Sequence, residues 1–308
     1  MQLGLIGLGR MGGNMARRLV RGGIPVTAFN RTVQKALDFA AEEGSLARAA
    51  TSLPELVAML PAPRILWLML PAGEATDAHF TELLPLLSPG DLIVDGGNAN
   101  HHDDLRRSRQ AAEAGLAYCD AGVSGGIWGL TEGYCIMVGG DPAAVARLTP
   151  ALGALTGPGG YLHTGPVGSG HFVKMVHNGI EYGLMQAYAE GFELLSESPF
   201  GPDLDLPAIC DLWNHGSVVR SWLLELTGRA LTADPGLQSI SGYVEDSGEG
   251  RWTVEAALDN AVSAPVITLA LMERFASRRP NAFQHRLLAA LRHQFGGHAV
   301  RKKDPQHD

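Results

Sequence analysis

Cysteine is scarce in this chain of 308 residues, and its three copies, Cys119, Cys135 and Cys210, are odd in number and far apart. Because no CxxC pair is present, the sequence predicts neither a disulfide framework nor a metal site. No apolar run is long enough to span a membrane, and the opening MQLGLIGLGR lacks the basic and apolar regions of a signal peptide. These absences favour a cytoplasmic protein in a reducing compartment.

Positive charge is also in short supply. Lysine and arginine total 24 against 32 aspartates and glutamates, which gives a formal net charge of −8. A surface of that sign excludes nucleic acid and anionic membranes as main partners. An anionic substrate would have to be met by a local group of cations.

Glycine, in contrast, is abundant, and it is unevenly spread. Of the 39 glycines, 27 lie in residues 1–170. This contrast predicts a turn-rich α/β half and a helical half, and the length suits about two domains. We expect a dinucleotide-binding domain over residues 1–167, an all-helical substrate and dimerisation domain over 168–300, and a flexible tail over 301–308.

Short apolar runs in the first half end at turn residues, as strands do. The predicted strands are Leu3–Ile6, Val26–Phe29, Ile65–Leu70, Leu92–Val94 and Tyr134–Val138. Helical patterns lie between them at Met11–Arg21, Thr32–Glu43 and His101–Ala114. This alternation predicts a Rossmann-type, doubly wound, mostly parallel sheet. From Ser169 the apolar spacing changes to that of one long helix, and the later segments are also helix-like.

The first predicted strand runs directly into a glycine-rich loop, Gly7-Leu8-Gly9-Arg10-Met11-Gly12. A strand, this loop and a helix in that order are typical of a dinucleotide site, in which the glycines allow a tight turn and close approach of a pyrophosphate to the helix N-terminus. We therefore predict that Gly7, Leu8, Gly9, Met11 and Gly12 bind the cofactor. A purely structural glycine turn is the alternative.

The second predicted strand ends at Asn30-Arg31-Thr32, where an NAD enzyme would usually carry an acid for the ribose hydroxyl. Arg31 can pair with a 2′-phosphate, and Asn30 or Thr32 can donate hydrogen bonds to it. This segment favours NADP, with NAD as the other possibility. An exposed arginine without a role is the competing interpretation.

Four polar residues share one face of the long predicted helix. Lys174, His177, Asn178 and Glu181 are spaced by three, four and seven residues, so they fall within two turns of one another. A polar stripe on a mostly apolar helix indicates a site. The acidic residues Glu245, Asp246 and Glu249 are instead expected to form a solvated turn.

Three segments together resemble the decarboxylating 6-phosphogluconate dehydrogenases of the β-hydroxyacid dehydrogenase superfamily. They are Asp95-Gly96-Gly97-Asn98, Gly122-Val123-Ser124-Gly125-Gly126 and the run Gly170–Tyr182. The likeness continues at Gly250-Arg251-Trp252-Thr253 and from Arg292 to His298, so it spans most of the chain. The chain matches the compact members of the family, which lack the duplicated helical half.

The resemblance implies oxidative decarboxylation of 6-phosphogluconate to ribulose 5-phosphate with hydride transfer to NAD(P), in gluconate use and the pentose phosphate pathway. Lys174 would be the base and Glu181 the acid, assisted by Asn178. Leu70 and Asn98 would join the cofactor site, although Pro71 replaces a lysine of the long members. The implied substrate residues are Asn98, Ser124, Gly125, Gly126, His177, Asn178, Tyr182, Arg251, Thr253, Arg278, Arg292 and His298. The choice among Arg274, Arg278 and Arg279 stays open.

Other functions remain open at this point. A β-hydroxyacid dehydrogenase acting on a small, unphosphorylated 3-hydroxy acid would share the fold and Lys174, but it would need neither Arg251 nor Arg292. A non-catalytic NADP-binding regulator is a third possibility. The resemblance also implies a homo-oligomer, dimer or tetramer, in which Arg292 and His298 complete the neighbour's phosphate site. Alternatively, both residues cap their own helix.

Overall fold

The computed structural model describes residues 1–279, 281–296 and 299, and the chain divides into two compact units, 1–178 and 179–308. Within the described residues, the first unit contains an eight-stranded sheet. Its strands are β1 (Leu3–Ile6), β2 (Val26–Phe29), β3 (Ala47–Ala50), β4 (Ile65–Leu68), β5 (Leu92–Asp95), β6 (Ala117–Ser124), β7 (Tyr134–Gly140) and β8 (Thr156–Gly165).

Helices alternate with these strands and continue through the second unit. They are α1 (Arg10–Arg21), α2 (Val33–Glu43), α3 (Leu53–Ala58), α4 (Glu74–Leu83), α5 (His101–Glu113), α6 (Gly129–Glu132), α7 (Pro142–Leu155), α8 (Ser169–Ser196), α9 (Leu206–Asn214), α10 (Trp222–Ala233), α11 (Glu249–Asp259), α12 (Pro265–Ser277) and α13 (Phe283–Gly296). None of the described helices has the length and apolarity needed to cross a membrane.

The sheet has the strand order β3-β2-β1-β4-β5-β6-β7-β8, and the only antiparallel neighbours among these described strands are β6 and β7. A parallel crossover needs a dozen or more residues, whereas residues 125–133 are all that separate these two strands. The reversal therefore follows from the short connection. The Rossmann-type sheet and the helical second half predicted from the sequence are confirmed.

The sheet is covered by apolar packing on both faces, as a parallel sheet requires. Leu3, Leu5 and Trp67 belong to one buried cluster, while Ile6 and Leu68 belong to another. Alternate residues of β1 and β4 thus point to opposite faces. This explains why these strands consist of continuous apolar runs in the sequence.

Three strands escaped prediction because their sequences are poor in strand-forming residues. β3 is the alanine-rich ARAA, β6 contains the buried Asp120, and β8 is the glycine-rich TGPGGYLHTG. Their pairing with neighbours, rather than local preference, makes them strands. In the second unit, small buried clusters form the core, one around Phe192 and Leu224 and another around Tyr182 and Leu271.

Candidate active site

The glycine-rich loop joins the end of β1 to the start of α1. Gly7 has a φ of +101°, and a Cβ there would lie 2.4 Å from the carbonyl oxygen of Met69; a Cβ at Gly12 would lie 2.0 Å from the carbonyl oxygen of Gly7. The packing of the chain itself therefore requires glycine at both positions. Gly9 differs, because a Cβ added there would meet no atom within 4 Å among the described residues.

Gly9 directly precedes α1, whose first turn contains no acidic residue. The exposed N–H groups of a helix N-terminus attract anions. The protein itself leaves room for a side chain at Gly9. A ligand bound close to the backbone would explain why this position nevertheless has glycine. The loop therefore fits a dinucleotide pyrophosphate.

Asn30 holds this loop to the end of β2. Its Oδ1 accepts a hydrogen bond from the backbone N–H of Leu8 at 2.9 Å, and its Nδ2 donates to the carbonyl of Thr32 at 3.1 Å. Arg31 is exposed and pairs with no carboxylate among the described residues. A groove of about 320 Å³ adjoins the loop between α1 and α2, and Arg10 is among its lining residues.

The loop that follows β5 lies beside the loop after β4. A Cβ at Gly97 would lie 2.4 Å from the carbonyl oxygen of Leu70, and Leu70 also approaches Gly7. Asn98, with a φ of +52°, joins both backbone groups of Val123: its Oδ1 accepts from the N–H at 2.9 Å and its Nδ2 donates to the carbonyl at 3.1 Å. The carboxyl ends of β1, β4 and β5 thus meet, which is where ligands bind in such sheets.

A buried carboxylate on β6 fixes the start of α8. Asp120 accepts hydrogen bonds from the backbone N–H groups of Gly168 at 2.6 Å and His171 at 2.8 Å. These N–H groups have no acceptor within the helix, because they belong to its beginning. Asp120 therefore caps the helix from a distant strand.

Two further residues on the same face of β6 meet α8 one and two turns later. A Cβ at Gly122 would lie 2.3 Å from the Cβ of Lys174, so only glycine permits this approach. Ser124 Oγ lies 3.5 Å from His177 Nε2. Alternate residues of the strand thus match every third residue of the helix.

Lys174 is 5% exposed and belongs to a small hydrogen-bonded cluster. Its Nζ donates to Oδ1 of Asn178, and Nδ1 of His177 lies 3.0 Å from the same oxygen. The predicted residues Lys174, Asn178, His177 and Ser124 are therefore brought together. Glu181 is half-buried and lies seven residues after Lys174 on the same helix face, about 10 Å along the axis.

In the second unit, Tyr182 contacts Arg274 and the segment at the start of α11. The hydroxyl of Tyr182 accepts a hydrogen bond from the backbone N–H of Ser247 at 3.0 Å, and the guanidinium of Arg274 lies 3.6 Å from the ring centroid. Thr253 is buried, and its hydroxyl donates to the carbonyl of Glu249. Gly250 allows close packing on the tyrosine ring.

Asp246 joins two of the predicted phosphate residues. Its carboxylate accepts from Nε of Arg251 at 2.6 Å and from Nη2 of Arg278 at 2.7 Å, and its side chain is only 4% exposed. The hydrogen bond from Arg251, supported by Arg278, lowers the pKa of Asp246 to about 2. The solvated turn predicted for this segment is wrong at Asp246 and Glu249, because long-range pairing and packing bury both side chains. Nothing in the local sequence around Asp246 and Glu249 indicates that their side chains are buried.

Arg292 is exposed on α13, and His298 lies outside the described residues. Gly125 and Gly126 follow Ser124 with positive φ values of +120° and +54°. The loop they form requires the left-handed region, which favours glycine.

Comparison with known proteins agrees with this architecture. The family model described as the NAD binding domain of 6-phosphogluconate dehydrogenase matches residues 2–165, and the model of the 6-phosphogluconate dehydrogenase C-terminal domain matches residues 170–286. The chain belongs to the 6-phosphogluconate dehydrogenase family. The family that the sequence motifs indicated is thereby confirmed.

Individual relatives support this membership over the full chain. A Haloferax volcanii protein named 6-phosphogluconate dehydrogenase, NAD(+)-dependent, decarboxylating, is 46% identical over 306 residues, 99% of this chain and 100% of that one. The Bacillus subtilis (strain 168) protein YqeC, provisionally named a 6-phosphogluconate dehydrogenase, is 46% identical over 98% of this chain and 100% of its own length. The Plasmodium falciparum 6-phosphogluconate dehydrogenase, solved apo, with its cofactor NADP+ and with its substrate 6-phosphogluconate, superposes with a TM-score of 0.84 at 29% identity, covering 100% of this chain and 67% of that one.

Proposed function

We propose that this protein oxidises and decarboxylates 6-phosphogluconate to ribulose 5-phosphate, with NAD(P) as hydride acceptor. The observation that carries the proposal is the buried Lys174, whose Nζ is directed by Asn178 within one hydrogen-bonded cluster. Family membership supports the substrate class. Residues 1–167 would bind the cofactor, and residues 168–300 would bind substrate and support dimerisation.

Lys174 acts first as a base. NAD(P), when bound, would supply the acceptor for the hydride from C3. Lys174, as the neutral amine, would take the proton of the C3 hydroxyl. The product is a β-keto acid. Its C1 carboxylate then leaves as carbon dioxide while the bonding electrons move into the carbonyl, and protonated Lys174 stabilises the developing negative charge. Glu181 delivers a proton to the resulting enediol carbon.

A steady-state assay with 6-phosphogluconate and each cofactor tests the proposal. We expect reduced cofactor and carbon dioxide in equal amounts. Because Arg31 is exposed and can pair with a 2′-phosphate, kcat/KM should favour NADP by about tenfold to a hundredfold. A preference for NAD would remove Arg31 from the specificity site. If 6-phosphogluconate is not turned over with either cofactor but 3-hydroxyisobutyrate is, the substrate is a small 3-hydroxy acid and the proposal is wrong.

The arginines of the second unit are proposed to bind the substrate phosphate. Arg251 and Arg278 share Asp246, and Arg274 covers the ring of Tyr182, so these cations lie around one segment of chain. Changing any of the three to glutamine should raise KM for 6-phosphogluconate by about tenfold to a hundredfold, since a charged hydrogen bond is lost. KM for the cofactor should stay unchanged.

Arg279 offers a matched control for this prediction. It is exposed, and the hydrogen bond described for it is the one from its backbone N–H to Ala276. Arg279→Gln should therefore leave KM for 6-phosphogluconate unchanged. If Arg279→Gln has the largest effect, or if KM for the cofactor rises equally in all four variants, the phosphate assignment is wrong.

A homo-oligomer is also proposed, with Arg292 and His298 completing the phosphate site of a neighbour. Large apolar side chains of the second unit are exposed in the single chain, among them Leu194, Leu258, Val266 and Leu269, each more than 60% exposed. An apolar surface of this kind favours burial against another copy. The exposed position of Arg292 on α13 suits a contact outside its own chain.

Mixing two inactive variants tests shared sites. Lys174→Met subunits lack the base, and Arg292→Ala subunits lack the donated cation. Hetero-oligomers should regain activity, because one site then combines an intact Lys174 with an intact Arg292. Absence of recovery after demonstrated subunit exchange would mean that each chain builds its own site.

The proposed location is the cytoplasm, which suits the free thiols of Cys119, Cys135 and Cys210.

A further inference from the structure

A network of buried polar side chains in the first unit connects two of the segments described above. Arg107 donates to Asp95 at 2.8 Å; the hydroxyl of Tyr118 donates to Asp104 at 2.8 Å and lies 3.4 Å from Asp95; and Asp104 lies 2.7 Å from Nδ1 of His171. All five side chains are 5% exposed or less. Burying such charges is costly unless they are paired, so this arrangement calls for a reason.

One end of this network of side chains contacts the loop that carries Asn98. Asp95 Oδ1 accepts a hydrogen bond from the backbone N–H of Gly97 at 2.9 Å, and the next residue, Asn98, is bonded to Val123 on β6. The orientation of this loop is therefore tied to the buried carboxylate of Asp95.

The other end of the network is His171, in the first turn of α8 and one turn before Lys174. The backbone N–H of His171 is held by Asp120, and its imidazole is held by Asp104. Its Nε2 is buried without a hydrogen-bond partner among the described residues, so Asp104 is the side chain that orients the ring. Backbone and side chain of His171 are thus fixed by two different elements, β6 and α5.

The charges facing the imidazole favour its protonated form. Burial alone would lower the pKa of His171, but Asp104, Asp95 and Asp120 together raise it to about 9. Arg107 is the other cation of the group. Asp104, Asp120 and His171 each offer one possible metal-ligating atom within 4.8 Å of the others. Hydrogen bonds from Tyr118, Gly168 and His171 already engage all four oxygens of the two carboxylates, so the pairing of Asp104 with His171 accounts for the cluster without a metal ion.

We propose that His171, paired with Asp104, is a positioning residue for Lys174. The pair prevents the first turn of α8 from shifting or fraying, and Lys174 sits one turn further along the same helix against Gly122. The inference rests on the proposed role of Lys174 as the base. A misplacement of the base by about 1 Å can cost on the order of a hundredfold in rate.

Two substitutions at His171 separate the hydrogen bond from the charge. His171→Leu removes both, whereas His171→Asn keeps an N–H close to the position of Nδ1. We expect kcat to fall by about tenfold to a hundredfold in His171→Leu and to be largely rescued in His171→Asn. The deuterium isotope effect with 3-deuterated substrate should increase in His171→Leu, because a misplaced base makes hydride transfer slower. His102→Asn, an exposed neighbour on α5, serves as control.

A second readout does not depend on turnover. The rate at which acetic anhydride modifies Lys174, measured by peptide mass spectrometry against the exposed Lys35, should rise in His171→Leu and in Asp104→Asn but not in His102→Asn. If the wild type fails to turn over 6-phosphogluconate but the labelling changes as expected, the proposed function fails and the positioning role stands. Thermal melting followed by circular dichroism establishes whether His171→Leu is folded. If the folded variant has the kcat, isotope effect and Lys174 labelling rate of the wild type, the inference is overturned.

Discussion

Replacing Lys174 by methionine is expected to lower kcat by on the order of 10²–10⁴, the range attributed to general acid–base catalysis. Methionine keeps a long, unbranched side chain with good helix propensity, so α8 and its packing on Gly122 should persist. The loss would therefore be assigned to the amine, which is proposed to accept the hydroxyl proton and to stabilise the developing negative charge. Substrate and cofactor should still bind.

The measurement is steady-state turnover of 6-phosphogluconate, combined with calorimetric titration of substrate and cofactor. Lys35→Met is the matched control for kcat: Lys35 is exposed on α2 and lines the groove beside the glycine-rich loop, but it lies outside the hydrogen-bonded cluster of Lys174, so kcat should stay at the wild-type value. Near-normal kcat in Lys174→Met would mean that another group is the base. Loss of binding together with turnover would instead assign Lys174 to substrate affinity.

Gly122→Ala is expected to reduce kcat by about a hundredfold although no catalytic group is changed. The added Cβ would lie 2.3 Å from the Cβ of Lys174 and 2.8 Å from the carbonyl oxygen of Gly170. Neither contact can be relieved by rotating a flexible side chain, so α8 must move away from β6. Such overpacking should also lower the free energy of unfolding by about 1–3 kcal/mol.

Gly191→Ala provides the control, since Gly191 lies in the same helix and a Cβ there meets no described atom within 4 Å. It should keep wild-type kcat and stabilise the helix by up to about 1 kcal/mol. Urea unfolding and steady-state assays of both variants give the comparison. If Gly122→Ala retains full activity, the contact between β6 and α8 does not set the position of Lys174.

The pattern of the sequence identified five of the eight strands, the long helix and the glycine-rich loop. These features are local: apolar alternation and runs, a glycine loop between strand and helix, and polar spacing within two helical turns all act over neighbouring residues. The stripe of Lys174, His177 and Asn178 could be identified because a helix brings residues three and four apart together by itself. The roles assigned to these residues came from family resemblance, and they stay proposals.

Only the tertiary structure decided which distant residues support that stripe. Asp120 caps α8 across 48 residues of chain, and Asp104 meets His171 across 67. Asp246 is buried because Arg278, 32 residues later, returns to it. Nothing in the local sequence marks these carboxylates as buried, since an aspartate in a turn and an aspartate beneath a helix look alike. The burial of Asp104 and Asp120 depends on which strand lies beside which helix, and that of Asp246 depends on which helices bring arginines to it. Both are fixed by the packing of a whole unit rather than by any short segment.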